Sequence, residues 1–355
     1  MSSQKSNTII GACIIGFFVA SAILTVAVGS QSDDEEKKTG SSGSEYISAS
    51  RTDSILAAIK RSSDSDGNNV QSDEEETDPY EELNELTGLT DVKKEVVSLA
   101  NFVKVQQARE KQGLKQSNIS LHLVFTGNPG TGKTTVARIL ARIYKDLGVL
   151  KKGHLVETDQ AGLIGEYVGQ TAPKVNHMVD SAMGGVLFID EAYALTSNKM
   201  GNSSGYGAEA IATLLKRMED DRGKFVVIVA GYTGEMKEFV ESNPGLKSRF
   251  TRYLHFPDYS AKELHEIYMM RVKKYGFSMS DETSAYLLSL FEDAVKSRDR
   301  NFGNARYARN LFENTITAQA NRLSQEGDIQ NMSKEQLCAI KREDIENALK
   351  MLKTI

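Results

Sequence analysis

Hydrophobic and polar residues divide the chain into three segments with different patterns. Residues 8–29 form an apolar run without a charged side chain, and residues 30–80 are polar, serine-rich and acidic. From residue 81 onward, short apolar runs alternate with stretches in which apolar residues recur every three or four positions. Short runs are typical of buried strands, and the longer period is typical of amphipathic helices. The pattern therefore predicts an α/β domain built on a mainly parallel sheet.

The apolar runs and periods also predict the main elements of that domain. Buried strands are predicted over Asn118–Phe125, Val186–Ile189 and Phe225–Ala230, with a helix over Ala208–Glu219. Beyond Pro257 the period is helical throughout. Helices are predicted there over Lys262–Tyr275, Asp281–Ser297 and Asn304–Leu323, with a shorter pair within Lys334–Leu352. We predict an α/β domain over residues 81–257 and an all-helical domain over residues 258–355.

The apolar run over residues 8–29 predicts a single transmembrane helix. A helix rises about 1.5 Å per residue, so these 22 residues would span about 33 Å, enough for the core of a bilayer. A cleaved signal peptide is the alternative, and Ala27-Val28-Gly29 offers small residues for cleavage. The apolar regions of such peptides are about 7–15 residues long, however, which favours the membrane helix. The composition of residues 30–80 predicts a disordered, acidic linker.

The charges are distributed unevenly along the 355 residues. Residues 1–80 carry 6 Lys and Arg against 13 Asp and Glu, whereas the rest of the chain carries 37 against 35. The net charge of −5 therefore belongs to the linker, and the folded part lacks the basic excess of nucleic-acid-binding domains. No nucleic-acid partner is expected. The two cysteines are far apart in the sequence, which disfavours a disulfide framework. The five histidines do not have the spacing of metal ligands, which disfavours zinc-dependent hydrolysis.

The first candidate for chemistry follows the strand that ends at Phe125. Gly127–Thr134 has the sequence GNPGTGKT, which matches the phosphate-binding loop pattern G-x-x-x-x-G-K-[ST] and is followed by a helical stretch. Glycines let backbone N–H groups close around phosphate oxygens, and the helix N-terminus adds the positive end of its dipole. Lys133 is predicted to reach the β- and γ-phosphates, and the hydroxyl of Thr134 is predicted to bind Mg²⁺.

Two carboxylates follow the next predicted strand. Asp190 and Glu191 come directly after Val186–Ile189. Such a pair places Asp190 in the Mg²⁺ shell and Glu191 where it can polarise an attacking water. Together with the phosphate-binding loop, the pair predicts an enzyme that binds ATP and Mg²⁺ and hydrolyses the ATP.

These motifs resemble those of the AAA+ ATPases, and specifically the CbxX/CfqX group, which includes the stage V sporulation protein K-like proteins and the Rubisco activase CbbX. The resemblance extends from about Leu83 to about Ile345 and implies a P-loop NTPase (AAA+) parallel sheet core with a C-terminal all-α lid domain, preceded here by one transmembrane helix and a disordered linker. Four motifs carry it in order: Gly127–Thr134, Phe188–Glu191, Asn243–Phe250 and Gly303–Arg306.

The resemblance implies roles for particular residues. Arg249 is expected to be the arginine finger that reaches the nucleotide of a neighbouring subunit, with Arg252 as the alternative, so activity requires a ring, usually a hexamer. Arg306 corresponds to the sensor-2 arginine of the lid. The sensor-1 position, usually polar, corresponds to Tyr232 or Thr233. The nucleotide is expected to contact Gly127, Asn128, Pro129, Gly130, Thr131, Gly132, Lys133, Thr134, Thr135, Asp190 and Leu89.

A further segment resembles the pore loop of AAA+ rings that thread proteins. Tyr167-Val168-Gly169 has the aromatic–aliphatic–glycine sequence with which each subunit grips an extended polypeptide. The alternative is that Tyr167 packs beneath a glycine-rich turn. The loop Lys199–Tyr206 is a second candidate for the channel.

These expectations define a function. The chain is expected to be a single-pass membrane protein whose ATPase domain faces the cytoplasm, where ATP is available, and whose homo-oligomeric ring remodels or unfolds an unknown protein client. A nucleotide-dependent membrane scaffold that threads nothing is the alternative. A DNA-associated motor shares the loop and the finger but is disfavoured by the near-neutral charge.

Overall fold

The structure, a computed structural model, describes residues 77–114, 120–196 and 204–353. The predicted transmembrane helix and nearly all of the predicted linker lie outside these residues. Across the described part of the chain, no helix combines the length and the apolar character needed to cross a bilayer.

The first described helix, α1, spans Pro79–Glu85 and begins one residue before the predicted end of the linker at residue 80. Asp78 explains this start, because its side chain accepts a hydrogen bond from the backbone N–H of Tyr80 and Pro79 stands at the first turn. Pro79 is also buried. The linker boundary drawn from composition was therefore placed too late.

Five parallel strands form the central sheet in the order β2-β3-β4-β1-β5. Because all five point the same way, their carboxyl ends share one edge, where β1 ends at the phosphate-binding loop and β3 ends at Asp190. Ligands of open α/β sheets bind at this edge. The strands are β1 Leu123–Thr126, β2 Leu155–Thr158, β3 Val186–Ile189, β4 Val226–Gly231 and β5 Arg252–His255.

Helices cover both faces of the sheet. Successive residues of β1 point to opposite faces, so Leu123 and Phe125 belong to one buried apolar cluster and Val124 to the other. The cluster of Phe125 includes residues of α2 Thr90–Lys111 and α3 Lys133–Asp146 and continues into the C-terminal helices. The cluster of Val124 includes residues of α4 Gln160–Leu163, α5 Thr171–Ser181, a 3-10 turn Ala192–Thr196, α6 Ser204–Asp220, α7 Thr233–Glu241 and α8 Pro244–Arg249.

Of the strand predicted over Asn118–Phe125, residues 118 and 119 lie outside the described residues, and β1 begins only at Leu123. Side chains replace ladder contacts before that point. The ring nitrogen Nδ1 of His122 accepts a hydrogen bond from the backbone N–H of Val227 at 2.9 Å, and the hydroxyl of Ser120 donates to the carbonyl of Arg249 at 2.6 Å. The apolar pattern of the sequence does not show where such side-chain hydrogen bonds replace strand pairing.

The partly buried His122 predicts a pH-dependent stability. Burial lowers its pKa from 6.5 to about 4, and the charges of Arg249 and Arg222 act in the same direction. The unfolded chain therefore binds a proton at pH values where the folded chain does not. The contribution of neutral His122 to the free energy of unfolding is complete above about pH 6.5 and is lost as the pH falls towards 4. We expect a loss of about 3 kcal/mol.

The measurement is urea unfolding between about pH 7 and pH 4, with His122→Asn as the comparison because the asparagine oxygen retains an acceptor for Val227. The carboxylates titrate equally in both proteins, so the variant should show the shallower pH dependence. Equal pH dependence in the two proteins would contradict the assignment.

The C-terminal part is helical apart from one pair of two-residue strands, β6 Ser278–Met279 and β7 Ala339–Ile340. Its first helix begins with a capping box, in which the side chains of Ser260 and Glu263 satisfy each other's backbone N–H groups. The predicted helices are present within three residues at each end. They are α9 Ala261–Lys274, α10 Asp281–Lys296, α11 Ala305–Glu326, α12 Lys334–Cys338 and α13 Arg342–Lys353, with a 3-10 turn at Ile329–Asn331.

Candidate nucleotide-binding site

The loop Gly127–Thr134 connects the end of β1 to α3, which begins at Lys133. The first N–H groups of α3 therefore point to the open side of the loop, as an anion requires. Gly130 has φ +70°, and a β-carbon there would lie 2.0 Å from the carbonyl oxygen of Gly303. Glycine is needed at this position because the loop lies directly against the C-terminal domain.

Lys133 folds back over this loop. Its Nζ donates hydrogen bonds to the carbonyl oxygens of Gly127 and Asn128, both at 2.8 Å. Burial lowers the pKa of Lys133, and the charge of Arg306 acts in the same direction, whereas the carboxylate of Asp190 opposes the shift. The amine is thus held at the mouth of the loop, where phosphate oxygens would offer stronger acceptors than neutral carbonyls.

Asp190 and Glu191 lie across the cavity from the loop, directly after β3. The N–H of Glu191 donates to Oδ1 of Asp190 at 3.0 Å. Glu191 has φ +47°, in the left-handed region that side chains other than glycine rarely occupy. Strain of this kind persists where the surrounding structure imposes it and is concentrated at functional sites.

A cavity of about 380 Å³ joins these groups, and Arg306 reaches it from the first turns of α11. Of the predicted nucleotide-contacting residues, the cavity excludes Asn128, Thr131 and Leu89. Asn128 bonds to Asp258, Thr131 is buried, and Leu89 packs behind Gly132. The lining consists of Gly127, Pro129, Gly130, Gly132, Lys133, Thr134, Thr135, Asp190, Glu191, Gly231, Tyr232, Arg271, Ala305, Arg306 and Arg309.

Two arginines of this lining go beyond the sequence-based assignment. Arg271 comes from α9 and Arg309 from α11, so the C-terminal domain presents arginines from two helices. Of the two residues at the expected sensor-1 position, Tyr232 lines the cavity and Thr233 does not. Arg271 lacked any motif, and only the packing of α9 brings it here. Arg309 is exposed and also pairs with Glu313 at 3.7 Å.

The residues present suit a nucleotide triphosphate with Mg²⁺. Ligand cavities are commonly about 300–1,000 Å³, and this one presents four cations to phosphate oxygens. The hydroxyl of Thr134 and the carboxylate of Asp190 are the oxygen ligands available to Mg²⁺. The described residues offer no group of three or more His, Cys, Asp or Glu side chains that could hold a metal ion. Magnesium is usually held by one or two protein groups together with substrate phosphates, which matches this arrangement.

Comparison with known proteins agrees with the geometry. The pattern of the family described as ATPase family associated with various cellular activities (AAA) matches residues 123–258, and that of the AAA lid domain matches residues 260–354. Stage V sporulation protein K of Bacillus subtilis (strain 168) is 42% identical over 266 residues, covering 74% of this chain and 80% of that protein. This chain is an AAA+ ATPase of the CbbX/CfxQ family.

One further relative supports the same assignment, and one solved structure has the same fold. CbbX of Cereibacter sphaeroides is 44% identical over 244 residues, covering 68% of this chain and 78% of that protein. The crystal structure of the FIGL-1 AAA domain in complex with ADP has a TM-score of 0.52 and 18% identity, covering 75% of this chain and 82% of that chain. The latter likeness concerns the fold alone. Like other AAA+ ATPases, the protein binds ATP with Mg²⁺, and members of the family typically form ring oligomers.

The expected arginine finger lies outside the nucleotide cavity of its own chain. Arg249 ends α8, and its guanidinium bonds to the carboxylate of Glu219 at 3.0 Å beside a second cavity of about 510 Å³. It is a quarter exposed. The alternative finger, Arg252, stacks its guanidinium on the ring of Phe102, 5.1 Å from the ring centroid. Arg249 is therefore the candidate that a neighbouring subunit can reach at the cost of one surface ion pair.

The predicted pore segment is exposed. Tyr167 is 67% and Val168 is 86% exposed, and Gly169 has φ +85° in the turn before α5. Tyr167 therefore does not pack beneath the turn, and that alternative is wrong. Of the second candidate loop, Lys199–Tyr206, residues 199–203 lie outside the described residues.

Proposed function

We propose that this AAA+ ATPase works as a ring, anchored to a membrane by residues 8–29, that pulls a protein client through its centre. The exposure of Tyr167 and Val168 carries this proposal. Large apolar side chains are normally buried, and an exposed aromatic–aliphatic pair on a turn is suited to gripping a polypeptide of any sequence. The linker of residues 30–80 would allow the ring to turn towards its client while the anchor stays in the bilayer.

The cavity assigns the chemical steps to particular groups. When bound, ATP would supply the phosphoryl group that is transferred to water, and Mg²⁺ held by Thr134 and Asp190 would neutralise negative charge on the phosphates. Lys133 and Arg306 stabilise negative charge from two sides, and the carboxylate of Glu191 orients the attacking water and accepts its proton. Arg249 from the adjacent subunit completes the site, and opening of its pair with Glu219 releases it for that contact. Hydrolysis in one subunit is then coupled to its neighbour.

The orientation follows from the need for ATP. Residues 30–355 would face the cytoplasm, with the short N-terminus on the other side of the membrane. A hexamer is the usual ring of this superfamily. No nucleic acid is expected in its pore, because residues 81–355 carry a net charge of only +2.

Replacing Tyr167 with alanine tests threading. Because the ring of Tyr167 is exposed and outside the nucleotide cavity, ATP hydrolysis should stay within about threefold of wild type. Client unfolding should fall about tenfold or more, as expected when a central aromatic contact is truncated. The client is first captured from native membranes with the Glu191→Gln variant, and the measurement is the rate at which ATP makes the purified client sensitive to protease.

Tyr167→Phe is the matched control, since it retains the ring and should retain unfolding. If Tyr167→Ala processes the client at the wild-type rate, threading through this segment is wrong. A nucleotide-dependent membrane scaffold would then be the better account.

A further inference from the structure

Three polar side chains connect the phosphate-binding loop to the lid: Asn128, Asp258 and Asn304. We refer to them as the junction. The side-chain amide of Asn128 donates to both carboxylate oxygens of Asp258 at 3.0 Å, and that of Asn304 donates to Oδ1 at 2.8 Å. Asp258, four-fifths buried between the two domains, thus accepts from the loop and from the lid at once. Hydrogen bonds to a charged acceptor are about twice as strong as those between neutral groups.

Asn304 is the centre of the junction. It is fully buried, its Nδ2 also donates to the carbonyl of Pro129 at 3.2 Å, and its Oδ1 accepts from the N–H of Tyr259 at 3.0 Å. Its backbone has φ +47°, a conformation that costs energy in any residue with a side chain. The next N–H, of Ala305, donates to the carbonyl of Gly130 at 3.1 Å. Strain at a fully bonded asparagine indicates that these contacts fix the backbone here.

The position of Arg306 depends on this backbone. Asn304 immediately precedes α11, and Arg306 lies in the first turn of that helix. We propose that Asn304 and Asp258 are positioning residues for hydrolysis: they hold the first turn of α11 on the phosphate-binding loop, so that a change in the loop moves Arg306 with it. The inference rests on the proposed role of Arg306 and extends it, because it names the contacts through which the loop and the lid arginine act together.

Asn304→Gly tests this role without imposing a new backbone. Glycine adopts φ +47° without strain, so the variant removes the buried side chain and its hydrogen bonds without changing the backbone conformation. In the full chain, kcat should fall about 10- to 100-fold, the size of loss that misplacement of a reacting group gives. Affinity for a fluorescent ADP with Mg²⁺ should change by less than about threefold, because the loop itself remains. Asp258→Asn leaves amide groups facing each other. It should likewise lower kcat and leave the affinity for ADP nearly unchanged.

The double variant Asn304→Gly with Arg306→Ala decides between positioning and simple stabilisation. If the junction acts through Arg306, the double variant has the same kcat as Arg306→Ala alone. A further loss in the double variant would overturn the proposal, and so would a wild-type kcat in Asn304→Gly. The matched controls are Asn331→Gly and Asp328→Asn, which break an exposed amide–carboxylate pair of 2.8 Å elsewhere in the lid and should leave kcat unchanged.

The Arg306→Ala protein separates this inference from the proposed function. If Arg306→Ala lowers kcat while Asn304→Gly does not, the proposed positioning role of the junction is wrong and the sensor role of Arg306 stands. If Arg306→Ala turns over ATP at the wild-type rate, the sensor role itself is wrong, and the inference is overturned with it.

Discussion

Replacing Glu191 with glutamine is expected to lower the rate of ATP hydrolysis by about 10²–10⁴-fold while leaving ATP binding intact. The amide has the size of the carboxylate but cannot accept a proton from water. Glu191 lines the nucleotide cavity, and its N–H bonds to Asp190 rather than to the loop that would hold the phosphates. Binding groups such as Lys133 are untouched by the change.

Two assays on the same preparation measure this effect: fluorescent ATP binding with Mg²⁺ and phosphate release. Glu238→Gln is the control, because Glu238 is an exposed carboxylate on α7, away from the cavity lining. It should hydrolyse ATP normally. Wild-type turnover in Glu191→Gln would remove Glu191 from the role of general base, and loss of ATP binding would show that the change disturbs the loop.

Replacing Arg249 with alanine is expected to lower turnover by about 10³-fold or more, the range that arginine fingers contribute. Nucleotide affinity should change little, because Arg249 lies outside the cavity of its own chain. Arg252→Ala is the control, since that guanidinium is stacked on Phe102. It should hydrolyse ATP within a few-fold of the wild-type rate. A severe loss in Arg252→Ala together with normal turnover in Arg249→Ala would reverse the assignment of the finger.

Local pattern was sufficient for much of the fold and for part of the site. The phosphate-binding loop and the Asp190–Glu191 pair each follow a short, fully buried strand, and parallel strands must bring such ends to one edge. The proximity of the loop and the carboxylate pair could therefore be predicted from the sequence. The lid helices were also predictable, because the helical period of α9–α11 is uninterrupted and the caps at Ser260 and Ser280 are local signals.

The remainder of the site depends on tertiary contacts that leave no local trace. Arg271 enters the cavity only because α9 packs over it, and Arg249 is distant from it because α8 lies near the other end of the sheet. Asn304 stands in a motif that the sequence did reveal, but its burial and its bond to Asp258 required the two domains in place. Leu89, expected beside the nucleotide, lies next to Gly132 of the phosphate-binding loop but does not line the cavity.

Mixed rings test the central claim that each nucleotide site is completed by the neighbouring subunit. Arg249→Ala chains and Glu191→Gln chains, each nearly inactive alone, are mixed in varying proportion at constant total concentration, and phosphate release is measured after subunits have exchanged. Because a finger acts in trans, a Glu191→Gln chain can supply its arginine to the intact site of an Arg249→Ala neighbour, so mixed rings should regain activity that neither variant has alone. Phosphate release no greater than the sum of the two separate variants would contradict the account.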